Sequence, residues 1–379
     1  MANTLTNLTP DLYEALDTVS RELVGFIPSV TLDSTVERAA VGQTVRSFVT
    51  PAATASDVTP GVTAPNDGDN VIGNEAITIS KARGVPVRWN GEEQRGMNSG
   101  PGYSSILQDQ FAQAMRTLTN EMETDLASLY ATTSRAFGAA GTTPFASTLT
   151  DTANVRKILA DNGAPLSDMQ MVIDTTAGAK MRTLTQLTKA NEAADASLLR
   201  QGVLLDVHGM AIRESAQITP TVNGTGTAYT SDTAGYAVGD TAITLITGSG
   251  TVLAGDVVTF AGDLNKYVVA VGVAAPGVIT LAAPGLRETI AASAVALTIG
   301  ADFVANMAFS RSAILLATRA PAVPEEGDMA DDSMMITDPR SGLSFEVRLY
   351  KQYRQIRYEV SAAWGFKNVK PEHSAILLG

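Results

Sequence analysis

The sequence contains no cysteine. Disulfide staples, zinc–thiolate sites, iron–sulfur clusters and thiol catalysis are excluded together. Histidine occurs only at His208 and His373, which leaves almost no material for a His-based triad or a histidine metal centre. Charge is sparse: 17% of the 379 residues are Asp, Glu, Lys or Arg, against about a quarter in an average globular chain. One sign dominates it. With 27 Lys+Arg against 39 Asp+Glu, the formal net charge is −12. Such a chain lacks the basic face that displaces counterions from nucleic acid, so tight DNA binding is not expected. Long apolar runs are missing too. The most apolar stretch, 291–309, is mostly alanine and is broken by Gly300, Asp302 and Asn306, short of the roughly 18–20 apolar residues of a membrane span. Residues Met1–Arg21 carry Asp11, Glu14 and Asp17 and show neither the basic nor the apolar region of a secretory signal. A soluble chain made in the cytoplasm is expected.

What is present is a folded protein: 45% hydrophobic residues on a length that suits two or three domains. Residues 1–45 combine a short amphipathic segment (Leu12, Leu16, Val19, Leu23) with extended chain. From 46 to about 96, alternating strands at Thr44–Val49, Ala76–Ser80 and Val85–Trp89 flank the turn signals Thr59-Pro60-Gly61, Pro65-Asn66-Asp67-Gly68 and Asn90-Gly91. A long β-hairpin with an irregular tip is expected there. Tyr103–Phe137 has neither glycine nor proline, and Leu107, Phe111, Met115, Leu118, Met122, Leu126 and Leu129 form one helical stripe. With Ser105 and Gln108 as a capping box and Gly138 as the stop, the helix would be about 50 Å long. A stripe that narrow predicts a helix lying across a sheet.

Helices and strands then alternate: a helix around Val155, Ile158 and Leu159 ending at Asn162-Gly163, a strand at Met169–Ile173, a helix at Gly178–Leu187, and a hairpin of Val203–Val207 with Met210–Arg213. Between about 216 and 301 the texture becomes rich in Thr and Gly. Short strands are expected at Ala242–Leu245, Asp256–Phe260, Tyr267–Val271, Val278–Leu281 and Val295–Ile299, an inserted small β-barrel or sandwich. Its expected core is Ile243, Leu245, Val257, Phe260, Val268, Val271, Ile279, Leu281, Leu297 and Ile299. An acidic loop (Glu325, Glu326, Asp328, Asp331, Asp332) precedes long alternating strands from Leu343 to Gly365.

No motif amounts to a catalytic constellation. The phosphate-loop pattern is absent, and Gly224-Thr225-Gly226 and Gly248-Ser249-Gly250 lack the third glycine and the following helix of a dinucleotide site; both read as hairpin turns. Asp206 and His208 could share a strand face as two members of a hydrolase triad, but no nucleophile elbow accompanies them. The acidic loop lacks the glycine-spaced pattern of a calcium loop and reads as solvated charge. Arg348–Tyr358 could suggest nucleic-acid contact, yet its period of two fits a strand pair with cross-strand charge pairing. No catalytic, cofactor-binding or metal-binding residue is assigned, and no cofactor is expected.

The order of these pieces resembles the major capsid (coat) proteins of tailed bacteriophages, over nearly the whole chain. The sequence 169–184 (MQMVIDTTAGAKMRTL) is similar to that family's strand-then-helix in the axial domain, and 202–215 (GVLLDVHGMAIRES) to its glycine-flanked hydrophobic segment. Residues 307–321 resemble the strand before the closing sheet. Residues 360–373 resemble the family's terminal Tyr-Gly … Arg-Pro-Glu ending, with Trp364-Gly365 and Lys370-Pro371-Glu372 in those places. The insertion, including 255–262 (GDVVTFAG), is similar to the barrel of one podovirus-type subgroup.

The resemblance implies an α+β capsid fold. Its parts would be an N-terminal arm (1–45), an E-loop hairpin (46–100), a spine helix with the start of a peripheral domain (101–150), and an axial domain (151–215). There follow an inserted β-barrel domain (216–301), a return strand of the axial domain (302–325) and a closing peripheral-domain sheet (326–379). It also implies self-assembly through pentamers and hexamers into an icosahedral head around double-stranded DNA. The expected partners are further copies of the chain, a scaffolding protein and a portal protein; the expected place is the virion. The competing readings are a secreted or surface β-rich structural protein and a hydrolase using His208.

Overall fold

A computed structural model describes residues 25–49, 73–97, 103–188, 206–338 and 341–379, with a few single positions elsewhere. A 3-10 turn at Ile27–Ser29 leads into β1 (Thr31–Ala39), then β2 (Thr44–Val49) and β3 (Gly73–Thr78). After β4 (Lys81–Asn90) come a short helix, Gly91–Met97, and the long helix, Tyr103–Ala127. The order continues with β5 (Arg135–Phe137), a helix at Thr150–Asp161, β6 (Met169–Ile173), helices at Thr175–Arg182 and Thr185–Thr188, and β7 (Met210–Glu214). Six short strands follow: β8 (Tyr229–Ser231), β9 (Ala242–Ile246), β10 (Val257–Phe260), β11 (Lys266–Val271), β12 (Val278–Leu281) and β13 (Ala296–Ile299). The chain closes with β14 (Ala305–Ser310), β15 (Ile314–Pro321), β16 (Asp332–Thr337), β17 (Ser344–Gln352), β18 (Gln355–Asn368) and β19 (Ser374–Leu378).

Two sheets carry the architecture. The first has six strands, with β18 paired antiparallel to β4, β15 and β17, β16 beyond β17, and β1 parallel to β15. The long helix lies across one face of it, as its narrow stripe predicts. Leu107, Phe111, Met115, Leu118, Met122 and Leu126 are all at most 1% exposed and share a core with Phe345, Val347, Tyr358, Val360 and Trp364. Burial of a side chain of this size contributes about 1.5–3 kcal/mol, so the stripe is the main bond between helix and sheet. Hydrogen bonds fix its register: Trp89 Nε1 donates to Gln110 Oε1 at 2.8 Å, and Trp364 Nε1 to Asp125 Oδ2 at 2.8 Å.

The helix is shorter than its glycine-free sequence predicts. It ends at Ala127, about 37 Å from its start, and Ser128–Thr132 continue as a 3-10 turn. Three hydroxyls turn back on carbonyls three residues earlier: Ser128 onto Asp125, Thr132 onto Leu129 and Thr133 onto Tyr130. Such bonds compete with helix propagation, and Thr133 is already extended. Arg135–Phe137 then pairs as β5 with β19 and β11. Gly138, expected to stop the helix, follows this strand, and Ser105, expected as its cap, lies inside the helix.

The second sheet runs β7-β6-β14-β19-β5 and continues through β11 into the six short strands. These close on themselves in the order β10-β13-β8-β9-β12-β11, with β11 paired back to β10: a barrel inserted between β7 and β14. All five expected barrel strands are present, and β8 is a sixth that the sequence reading missed. Two strands depart from the expectation, although Phe260 of β10 lies in the barrel core as expected. Val258, Tyr267 and Val269 point into the barrel, while Val257 and Val268 pack outward with Ala136, Phe303 and Ile376 of the second sheet. Val271, expected in the core, is 58% exposed.

Several segments sit differently from their expected roles. Within 1–45, Ile27 and Val30 are core residues and β1 is a strand of the chain's own first sheet. In the hairpin region β2 pairs with β3, whereas β4 belongs to the first sheet. Within 326–379, β19 leaves the first sheet for the second, between β14 and β5. The helix expected at 178–187 is two pieces; the first starts at Thr175 because Asp174 accepts from the Thr176 and Ala177 N–H groups as its cap. Most of the strand expected at Val203–Val207 and most of the hairpin tip lie outside the described residues.

Candidate functional site

His208 occupies a turn between Val207 and Met210, with φ of 51° followed by Gly209 at 75°. Its Nδ1 lies 2.7 Å from Thr152 Oγ1, which is also 2.8 Å from the Leu149 carbonyl. Among the described residues no hydrogen bond joins Asp206 to His208. The hydrolase reading therefore lacks its first geometric requirement, a base oriented by its carboxylate. His373 lies far along the chain in the turn before β19, where burial pushes its pKa down.

The two glycine motifs meet each other rather than a phosphate. Gly226 N donates to Thr251 O, Thr227 and Ser249 are bridged, and Tyr229 Oη donates to Gly250 O at 2.6 Å. A Cβ on Gly224 would stand 2.2 Å from the Thr251 carbonyl, and one on Gly250 would stand 2.5 Å from that of Thr225. The glycines permit close backbone approach at one end of the barrel.

The acidic loop is tied into the first sheet. Asp328 accepts from the Ala330 N–H, from Arg348 and from Tyr350, and these contacts hold its carboxyl below the usual range. Asp331 pairs with Lys351. The basic-aromatic stretch is the β17–β18 hairpin, with Arg348 opposite Glu359 and Arg357 opposite Tyr350, and both guanidinium groups lie over the Tyr350 ring. The ion pairs run from the loop carboxylates Asp328 and Asp331 to Arg348 and Lys351, and along single strands from Arg348 to Glu346 and from Arg357 to Glu359. Among the described residues no cluster of His, Asp and Glu is arranged to hold a metal ion, and no helix is long and apolar enough to cross a membrane. A cleft of about 520 Å³ lies between β5, the loop after it and Lys266; the Lys266 ammonium donates to the Gly138 carbonyl. A second cleft of about 490 Å³ lies beneath the β17–β18 turn, beside Trp89 and Glu92.

The features that remain are protrusions anchored at their bases. The β2–β3 hairpin is held by an apolar knot of Ala39, Ile77, Ile79, Ala317 and Ala363 and by Lys367 paired with Glu75 at 2.6 Å. Gly365 allows the chain to pass: a Cβ there would stand 2.2 Å from the Thr78 carbonyl. The start of β4 is fixed to the long helix, with Lys81 bridging Asp125 (2.7 Å) and Glu121 (3.2 Å) and Arg83 also reaching Glu121. Burial works against the Lys81 charge, but the two carboxylates outweigh it and raise its pKa. Beyond this base, residues 50–72 contain Asp57, Asp67 and Asp69 and no Lys or Arg; Val58 and Val62, within that stretch, are fully or almost fully exposed. Tyr353 at the β17–β18 turn and Leu264 on the barrel are 87% and 96% exposed. Such tips contribute little to the core of their own chain.

A long helix across a sheet, a projecting hairpin, a second sheet and an inserted barrel together define the capsid fold of tailed phages. Over 94% of its length the chain is similar to the capsid structure of the cyanophage P-SCSP1u, covering 88% of that chain with a TM-score of 0.51 and 14% identity. It also matches the mature capsid of bacteriophage PhiM1 (TM-score 0.46, 11% identity, 93% of this chain and 86% of that one). A third match is a virus-like particle from Pyrococcus furiosus (TM-score 0.44, 10% identity, 97% of each chain). The fold assignment rests on the cyanophage capsid. No family model matches the sequence, and no curated protein matches it.

Proposed function

We propose that the chain is the major capsid subunit of a phage head, self-assembling into an icosahedral shell around packaged double-stranded DNA. The observation that carries this reading is the superposition on the cyanophage P-SCSP1u capsid over nearly the whole chain. It acts as a structural protein, a role that the likeness to the cyanophage capsid supports.

In this reading the E-loop hairpin and the part of the N-terminal arm before Gly25 reach neighbouring subunits in pentamers and hexamers, and the barrel faces outward. Extended arms gain burial only on assembly, which fits exposed apolar tips on a well-anchored base. The net charge of −12 suits a container that must not grip its genome, because packaging and ejection require DNA to slide. A scaffolding protein and a portal protein are the further partners, and the virion is the place of action. Sedimentation velocity of the purified full chain tests the proposal. Capsomers or shells sedimenting far ahead of a monomer are expected. A monomer at all concentrations, with and without a crowding agent, contradicts it.

A further inference from the structure

Glu123 is a carboxylate on the long helix that the shell reading leaves without a role. It is 5% exposed and joins three parts of the chain. Oε2 accepts the Phe26 N–H at 2.8 Å and the Ser215 hydroxyl at 3.0 Å, and Oε1 accepts the Ile27 N–H at 2.8 Å. Phe26 is itself buried and stacked on Phe309, with ring centroids 6.3 Å apart. The fit is close enough that a Cβ on Gly25 would stand 2.4 Å from Oε2.

No cation pairs with this carboxylate among the described residues. The charged groups on the elements around it are engaged elsewhere. Arg213 of β7 donates to Ser29 Oγ and Gln170 Oε1, and Glu214 pairs with Arg182. On the same helix, Asp125 takes Lys81 and Trp364, and Glu121 takes Lys81 and Arg83. Arg311, near Arg213, pairs with Asp168. Three hydrogen bonds offset part of the cost of burying an unpaired carboxylate, but burial without a counter-ion favours the neutral acid.

We propose that docking of the N-terminal segment Gly25–Val30 onto the long helix is proton-linked through Glu123, so that the segment is held more tightly in acid and released more readily as pH rises. The sign follows from what docking does to the carboxylate. With the segment in place Glu123 is dry; with the segment away, water reaches it and its affinity for protons falls toward the ordinary glutamate value of 4.5. The docked state therefore binds the proton better, and mass action favours it below the docked pKa. Desolvation does push the Glu123 pKa up, against the lowering effect of the Ile27, Phe26 and Ser215 hydrogen bonds. Loss of the latch belongs to the pH window above 4.5. This inference concerns the single chain and stands independently of shell assembly.

Hydrogen exchange of the full chain between about pH 5 and about pH 7.5, corrected for intrinsic amide rates, tests it. Protection of the Phe26 and Ile27 amides should fall progressively toward the upper end, while the amides of β18 stay constant. Glu123→Gln, a neutral mimic of the acid, should keep the two amides protected across the range and abolish their pH dependence. The wild-type titration needs no variant to fold. The proposal is overturned by protection that is constant or rises with pH, by a parallel loss at β18, or by unchanged pH dependence in Glu123→Gln.

Discussion

Met122 is fully buried at the middle of the helical stripe, between Leu118 and Leu126 and against the β17–β18 face. A carboxylate placed there would have no partner, and an isolated buried charge costs several kcal/mol, a large share of a domain's total stability. Met122→Asp should give insoluble protein, or protein whose thermal midpoint is lowered by ten degrees or more on the scale of about 4–8 °C per kcal/mol for a small domain. Recovery of soluble Met122→Asp with a wild-type melt would show that this face is not the buried one. The seven-residue stripe was legible in the sequence because 3.6-residue periodicity needs no partner to be visible. Glu123, one residue away, was not. Its donors come from Phe26, Ile27 and Ser215, separated by 97, 96 and 92 positions, and no local pattern marks such a meeting.

At the scale of elements, the hairpin and the barrel make opposite demands. The hairpin base is secured by the apolar knot and the Lys367–Glu75 pair, while the tip between β2 and β3 is turn-rich and acidic. Deleting Asp57–Asp69 should shift the thermal midpoint of the monomer by less than about 2 °C, because its two valines, Val58 and Val62, are exposed. Light scattering should then report no full-size shells; shells of normal size would make the tip a dispensable loop. The barrel should fold alone. Its inner core, from Tyr229 to Leu297, comes from its own strands and loops, and Lys266 and Tyr267 of β11 pair outward with β5. A fragment spanning 216–301 should give dispersed amide peaks in two-dimensional NMR and a cooperative melt of a few kcal/mol, since a domain of this size buries only about 60–65% of its surface. Exposure of Val257 and Val268, which pack on the second sheet in the full chain, should lower its solubility. Collapsed peaks would mean the barrel depends on that sheet.

Strands of the barrel were readable because Gly-rich turns bracket short β-branched runs. Which face pointed inward was not readable for β10 and β11, since both are apolar on both sides: one face fills the barrel and the other meets the second sheet. β5 was hidden for a related reason. Arg135-Ala136-Phe137 follows a helical stripe without glycine or proline, and only pairing with β19 and β11 makes it a strand. The placement of β19 in the second sheet rests on the same kind of long-range contact.

At the scale of the whole molecule, the first sheet and long helix share one core, the second sheet continues into the barrel, and the exposed apolar residues include Val58, Val62, Leu264 and Tyr353. Sequence reading reached the order of these parts through their textures and their resemblance to tailed-phage coat proteins; the surfaces that would meet in a shell carry no motif, because contact between copies selects shape and charge over a wide area, not a few reactive groups. Cryo-electron microscopy of the purified, assembled full chain tests the central claim most directly. The account predicts closed icosahedral particles whose subunits superpose on this structure, with the β2–β3 hairpin lying over a neighbouring subunit and the barrel on the outer surface. Discrete monomers or open fibres under conditions that keep the chain folded would contradict it.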